Sequence, residues 1–181
     1  MESERNRIVT LIVGGARSGK SRYAQELAAG FERVTFIATA RANDSEMRRK
    51  IARHRSERPR SWETLEAPLN LESAIQSWGT KADMLIIDCL TLYLANLMRA
   101  RRSRERILQD FNKVSEAIQL AKSSMIIVSN EVGCGVVPAF RSGRVYRDLL
   151  GQLNQQIAQI ADRVVLMVAG VPLTIKDTGG S

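Results

Sequence analysis

The sequence predicts an α/β domain of three layers, with helices on both faces of a mostly parallel central sheet. Three observations carry this expectation. Short, continuously apolar, β-branched runs alternate with helical stretches, as in a parallel sheet covered on both sides. The first run passes into a helix through a glycine-rich turn with the spacing G-x-x-x-x-G-K-[ST]. A later run ends in a carboxylate, which pairs naturally with such a turn. The fold expected is therefore that of a P-loop NTPase (RecA-like) domain. A polar extension (1–7) should precede a single domain at 8–176, and a flexible tail should follow at 177–181.

Each element has its own signal. Residues 8–13 read as a buried strand. The turn that follows is Gly14, Gly15, Ala16, Arg17, Ser18, Gly19, Lys20 and Ser21. Its glycines let backbone N–H groups and a helix N-terminus close around a phosphate. Lys20 supplies a mobile charge for β- and γ-phosphates, and the Ser21 hydroxyl suits Mg²⁺. Helix 21–29 carries Tyr23, Ala24, Leu27 and Ala28. A strand is expected at 34–38, then a helix at 45–55 with Asp44 or Ser45 as its cap. Helix 69–77 precedes strand 84–88, an apolar run ending in Asp88 in the Walker B manner, a carboxylate placed to hold Mg²⁺. Two helices fill 91–122, and a strand follows at 125–129. The long helix 144–161 aligns Val145, Leu149, Leu153, Ile157 and Ile160 on one side, and strands at 164–168 and 173–176 close the chain.

Composition excludes several classes. With 181 residues, 44% hydrophobic and 25% charged, the chain suits one soluble globular domain. Its longest apolar region, 84–98, carries Asp88 and Asn96 and is too short to span a bilayer comfortably. The polar start is no secretory signal, and two cysteines make no disulfide framework, so the expected compartment is the cytoplasm. The net charge of +8 favours polyanionic partners, a triphosphate among them. Aromatics are only 5% and do not interleave with the arginines, so no nucleic-acid partner is expected. The arginine run 99–106 reads as a solvated helix face.

His54 is the only histidine. Met47, Ile51 and His54 fall on one helical face, which should look toward the protein body. On spacing alone, the plainer reading is a histidine packed at the edge of the core. Its neighbours Arg53, Arg55 and Arg58 change the balance. Their field attracts phosphates and disfavours the protonated imidazole, leaving a nucleophilic nitrogen. A neutral imidazole can attack an α-phosphorus and expel pyrophosphate. Glu66 reads equally as a surface residue or as a contact to ligand hydroxyls. The run 129–133 follows a strand, where α/β sites are built, or simply caps a helix. Asn154 and Gln155, in a helix otherwise suited to packing, are open between surface and site.

From Ile12 to Lys176 the chain resembles the bifunctional adenosylcobinamide kinase / adenosylcobinamide-phosphate guanylyltransferase family of cobalamin biosynthesis. The motifs that carry the likeness are GGARSGKS at 14–21, FIATA at 36–40, HRSERP at 54–59 and WETLE at 62–66. With them stand DCLTL at 88–92, SNEVG at 129–133, RDLLGQLNQ at 147–155 and AGVP at 169–172. The resemblance implies two steps: phosphorylation of adenosylcobinamide with ATP or GTP, then transfer of GMP from GTP to adenosylcobinamide phosphate. It implies that His54 is the guanylylated nucleophile. It also implies that Ala38, Thr39 and Ala40, and Arg55, Ser56, Glu57 and Arg58, are nucleotide-contact segments. Glu66 and Asp88 match acidic nucleotide-site positions. Where some relatives carry a second histidine before the nucleophile, this chain has Arg53. A compact homotrimer is implied as well. Two other readings stand beside it: a P-loop small-molecule kinase without nucleotidyl transfer, and a RecA-like ATPase dependent on nucleic acid.

Overall fold

The computed structural model describes residues 7–42, 45–56 and 58–178. Seven strands form one sheet: β1 (Val9–Gly14), β2 (Val34–Ala38), β3 (Glu63–Glu66), β4 (Met84–Asp88), β5 (Ser124–Val128), β6 (Arg163–Val168) and β7 (Val171–Asp177). The helices are α1 (Lys20–Ala28), α2 (Ser45–Ser56), α3 (Leu71–Trp78), α4 (Leu90–Arg99), α5 (Arg104–Leu120) and α6 (Arg141–Ile160). Strand order across the sheet is β3-β2-β4-β5-β1-β6-β7. Every pair is parallel except β6 with β7. This is the three-layer, mostly parallel α/β sheet that the sequence predicts.

The central strands are apolar on both sides because both faces are covered. On one face β1, β4 and β5 pack Leu11, Leu85, Ile87 and Ile127 against α3 to α6, through Ile75, Leu94, Phe111 and Leu153. On the other, Ile12, Ile86 and Ile126 meet Ala24 and Ala28 of α1. Each buried aliphatic side chain contributes about 1.5–3 kcal/mol, so these two layers dominate the stability of the fold.

The boundaries depart from the sequence reading where local signals are weak. β3 was not expected as a strand: Glu63-Thr64-Leu65-Glu66 has no apolar run, and as an edge strand it needs none. α6 begins at Arg141, three residues before the expected start at 144 and four before Val145 opens its apolar period. β7 folds back on β6 as a hairpin through Ala169 (φ 51°) and Gly170 (φ 84°), a pair with the left-handed backbone that such tight turns need. It ends at Asp177, whose carboxylate accepts from Arg163, and Thr178 donates its N–H to Asp162 O. The Lys176 ammonium bonds Ala158 O, Gln159 O and Ala161 O, closing the C-terminus of α6. In the arginine run 99–106, Arg102 and Arg106 pair with buried Asp110, while Arg99, Arg101 and Arg104 are exposed. Among the described residues, no helix is long and apolar enough to cross a membrane.

Candidate active site

Parallel strands leave their C-terminal ends on one rim of the sheet, where α/β folds build sites. Register places Glu66, Ala38, Asp88, Val128 and Ile12 in one row across β3, β2, β4, β5 and β1. Two residues beyond Ile12 the chain enters its glycine-rich turn.

That turn is shaped by its glycines. Gly14 has φ +152°, and a Cβ there would lie 2.5 Å from Met167 O and 2.9 Å from Ser18 Oγ. Gly19 has φ +94°, left-handed backbone at the N-cap of α1 that disfavours any side chain. No side chain caps the N-terminus of α1, so its first N–H groups are offered to an anion. Gly15, Ala16 and Arg17 stand exposed at the crest, while Ser18 is buried and Ser21 half-buried beneath them. Ser18 O accepts from the N–H of Gly170, which ties the loop to the β6–β7 turn.

Lys20, only 7% exposed, folds its ammonium into this loop. Nζ donates to Gly14 O (3.0 Å), Gly15 O (2.5 Å) and Ser18 Oγ (3.4 Å). Burial lowers its pKa from the usual lysine value, while the nearby Cys89 and Asp88 oppose the shift. The lysine and the Asp88 carboxylate are thus electrostatic neighbours, although they come from different strands.

A second network locks β2 to β4. Thr39, fully buried, donates its N–H to Asp88 O (3.2 Å) and its hydroxyl to Cys89 O (2.7 Å), and accepts from Cys89 N (2.8 Å). Asn96 of α4, 3% exposed, sends its amide N–H groups to Thr39 O (2.8 Å) and Pro68 O (3.1 Å). One amide therefore fixes the segments that carry Ala38 to Ala40, Glu66 and Asp88. The Asp88–Cys89 peptide is cis. Burial and the Asp88 charge push the Cys89 thiol up to about 11, so it is neutral at physiological pH and no nucleophile.

A third network braces the chain after β5. Ser129 Oγ donates to Asn154 Oδ1 (2.6 Å), Asn154 Nδ2 to Asn130 O (3.0 Å), and Asn130 N to Thr91 Oγ1 (2.9 Å). Glu131 N reaches Gly14 O at 3.0 Å. Asn154, which the sequence left open, is buried and belongs to the rim, whereas Gln155 is exposed. The sequence assigns no structural role to Asn96, Thr91 or the Gly170 turn; Thr91 and Gly170 stand there only as letters of the DCLTL and AGVP motifs. Their partners lie far along the chain, and no local spacing announces them.

The remaining expected positions lie on or after α2. Ala40 is half-buried beside Thr39, and Glu66 is exposed at the end of β3. Arg55 and Ser56 are exposed on the last turn of α2. Arg58 turns inward, its guanidinium 3.3 Å from the centroid of the Phe36 ring on β2, a cation–π contact. His54 lies on α2, but its side chain, with those of Arg53, Met47 and Ile51, lies outside the described residues, as do Glu57 and the expected cap Asp44.

A RecA-like sheet with a phosphate-type loop, a buried lysine and an acidic strand end defines a P-loop NTPase-class domain. The model of the family cobinamide kinase / cobinamide phosphate guanyltransferase (CobU) matches residues 10–175. The bifunctional adenosylcobalamin biosynthesis protein CobP of Pseudomonas aeruginosa is 45% identical over 92% of this chain and 96% of its own. CobU of Salmonella typhimurium, of the same description, is 35% identical over 93% of this chain and 100% of its own. The chain belongs to the cobinamide kinase / cobinamide phosphate guanyltransferase family. Among solved structures, a type III secretion ATPase superposes at TM-score 0.54 with 10% identity over 88% of this chain and 51% of its own, a likeness of fold alone.

Proposed function

We propose that one phosphate cradle serves both reactions. This chain phosphorylates the aminopropanol hydroxyl of adenosylcobinamide with ATP or GTP. It then moves GMP from GTP to adenosylcobinamide phosphate, giving adenosylcobinamide-GDP and pyrophosphate. The observation that carries this reading is Lys20, buried in the glycine-rich loop with its ammonium on the Gly14 and Gly15 carbonyls and within electrostatic reach of Asp88. Residues Gly14 to Ser21 hold the triphosphate, and Ala38 to Ala40, Arg55 to Arg58, Glu66 and Asp88 surround it. Ser21 lies at the start of α1 and Asp88 at the end of β4, an electrostatic neighbour of Lys20; a hydroxyl and a carboxylate are the donor set with which Mg²⁺ joins phosphates, and no cluster of three or more metal-ligating side chains stands among the described residues to cage it otherwise. When bound, Mg²⁺ neutralises charge on the phosphate oxygens.

In the kinase step the acceptor hydroxyl attacks the γ-phosphorus and the nucleoside diphosphate leaves. In the guanylyl step a His54 nitrogen attacks the α-phosphorus of GTP, an N–P bond forms and pyrophosphate departs. A phosphate oxygen of the acceptor then takes the α-phosphorus and releases the imidazole. The reading extends to a cytoplasmic homotrimer without a nucleic-acid partner. The apolar β7 edge, with exposed Val168, Val171, Leu173 and Ile175 on the hairpin, supports association with further copies.

GTP labelled at the α-phosphorus tests the assignment. Acid-labile, base-stable label should appear on the protein and vanish in His54→Ala. A kinase without nucleotidyl transfer would phosphorylate the corrinoid and take no label. A nucleic-acid-dependent ATPase would show hydrolysis stimulated by DNA or RNA and lost as salt rises.

A further inference from the structure

The loop after β5 plays no part in holding nucleotide on the reading above, yet it occupies the centre of the rim. β5 lies between β4, which ends in Asp88, and β1, which opens into the glycine-rich turn. The N–H of Glu131 is one hydrogen bond from that turn, at 3.0 Å from Gly14 O. The root of the loop is held by Asn154, a buried amide on an otherwise packing helix, bonded on both of its polar atoms. Burying such a group is unfavourable unless its bonds are met, and here they fix one short segment. The Glu131 carboxylate is itself oriented: Oε1 accepts from Gly133 N at 2.6 Å, and no described residue bonds the other oxygen.

Beyond Gly133 the chain changes character. Val136, Val137 and Phe140 are 95%, 62% and 80% exposed. This arm is continuous with the rim, and its far end is pinned where Arg144 bonds Pro138 O and Ala139 O. A small polar acceptor would have no use for it. A corrinoid, a wide macrocycle with an apolar face and one tethered hydroxyl, matches an apolar arm joined to a single oriented carboxylate.

We propose that residues 131–140 form the acceptor side of the site. Glu131 receives the hydroxyl of the corrinoid, and Val136 and Val137 lie against its macrocycle. In the kinase step the acceptor oxygen forms its bond to the γ-phosphorus as the γ-phosphorus–oxygen bond to the diphosphate breaks. The diphosphate leaves with that electron pair, and the hydroxyl proton passes to the free oxygen of Glu131 and then to solvent. The proposal rests on the kinase activity and the shared cradle, not on His54.

Three measurements on the full chain test it: kinase kcat and KM for adenosylcobinamide, GTP affinity, and labelling by α-labelled GTP without corrinoid. Glu131→Gln keeps the acceptor for Gly133 N but cannot take a proton. It should lower kinase kcat roughly 10²-fold or more, with Glu131→Asp recovering part of the loss. Val136→Ser with Val137→Ser should raise the corrinoid KM about 10-fold in both corrinoid-dependent steps, with kcat little changed. Both variants should bind GTP and take label as the parent does. An unchanged kcat in Glu131→Gln, an unchanged KM in the valine variant, or GTP affinity falling in step with kinase activity overturns the proposal. Failure of the parent to take label would indict the His54 assignment alone, because the kinase and affinity arms still decide the role of Glu131.

Discussion

Replacing Lys20 separates what the loop does for stability from what it does for chemistry. Lys20→Met keeps most of the side-chain volume and removes the charge. In this structure the ammonium is shared among Gly14 O, Gly15 O and Ser18 Oγ. Those carbonyls do not depend on it: Gly14 O also accepts from Glu131 N, and Gly15 O from Ser18 N. Burial depresses the lysine pKa, so the fold disfavours the charge it carries. The variant should therefore unfold within about 1 kcal/mol of the parent. Catalysis should respond differently. An ammonium about 3 Å from a phosphate charge gains roughly 5 kcal/mol at an effective dielectric of 20. Giving up the loop oxygens costs about 1–3 kcal/mol. The balance of about 2–4 kcal/mol corresponds to a loss of roughly 30- to 1000-fold. Transfer from γ-labelled ATP to the corrinoid and self-labelling by α-labelled GTP should both fall by that order, with Tm nearly unchanged. If labelling survives while phosphorylation is lost, the two reactions use different cradles and the shared-site reasoning is wrong.

Two further predictions concern the frame around the cradle. Asn96→Ala removes two hydrogen bonds and leaves Thr39 O and Pro68 O without that donor; the expected loss is about 2–3 kcal/mol, read as a fall in Tm of roughly 4–12 °C. Alkaline stability gives the other. The folded Cys89 thiol is pushed from 9.0 to about 11, so the folded state holds a proton that the unfolded state releases from about pH 9. Its contribution is complete below pH 9 and is lost as pH rises toward 11, up to about 2–3 kcal/mol at 1.36 kcal/mol per unit. The raised tyrosines Tyr93 and Tyr146 act in the same sense. Lys20, with a lowered pKa, acts in the opposite one. The difference between the parent and Cys89→Ala in urea unfolding at pH 8 and pH 10.5 isolates the thiol, and a difference that does not change between those pH values refutes the argument.

What the sequence made legible was whatever has a local cause. The glycine-rich turn is eight consecutive residues whose backbone demands, at Gly14 and Gly19, are written in the residues themselves. The central strands announce themselves because they are apolar on both faces. β3 is silent because a four-residue edge strand with a single apolar residue, Leu65, looks like a loop. The start of α6 is silent for a similar reason: Arg141-Ser142-Gly143 has no apolar period, and it is the packing of Gly143 against Pro138, 2.8 Å from where a Cβ would stand, that fits a glycine there. The site networks are the harder case. Thr39 and Cys89 are 50 positions apart, and Ser129 and Asn154 are 25 apart. A buried asparagine in an apolar helix shows only that some partner exists. Which one becomes visible when the sheet brings the strand ends together.

Sheet order bears directly on how one cradle could serve two attacks. A phosphate loop grips its ligand through backbone N–H groups and one lysine, which favour anionic oxygens without choosing which phosphorus reacts. The choice must then come from the direction of the nucleophile. Asp88 ends β4, and β4 is flanked by β2 and β5. The chain leaving β2 runs on to α2 with His54, while the chain leaving β5 carries Glu131. The two segments proposed to deliver the attacking groups thus depart from opposite sides of the acidic strand. Each is anchored by its own buried asparagine, Asn96 for the β2 side and Asn154 for the β5 side. The two anchors meet on α4, which carries Asn96 and, in Thr91, the acceptor for Asn130 N, so one helix braces both segments. On the proposed reading that shared brace keeps both approaches registered to one strand end, the acceptor hydroxyl arriving from the β5 side and His54 from the β2 side.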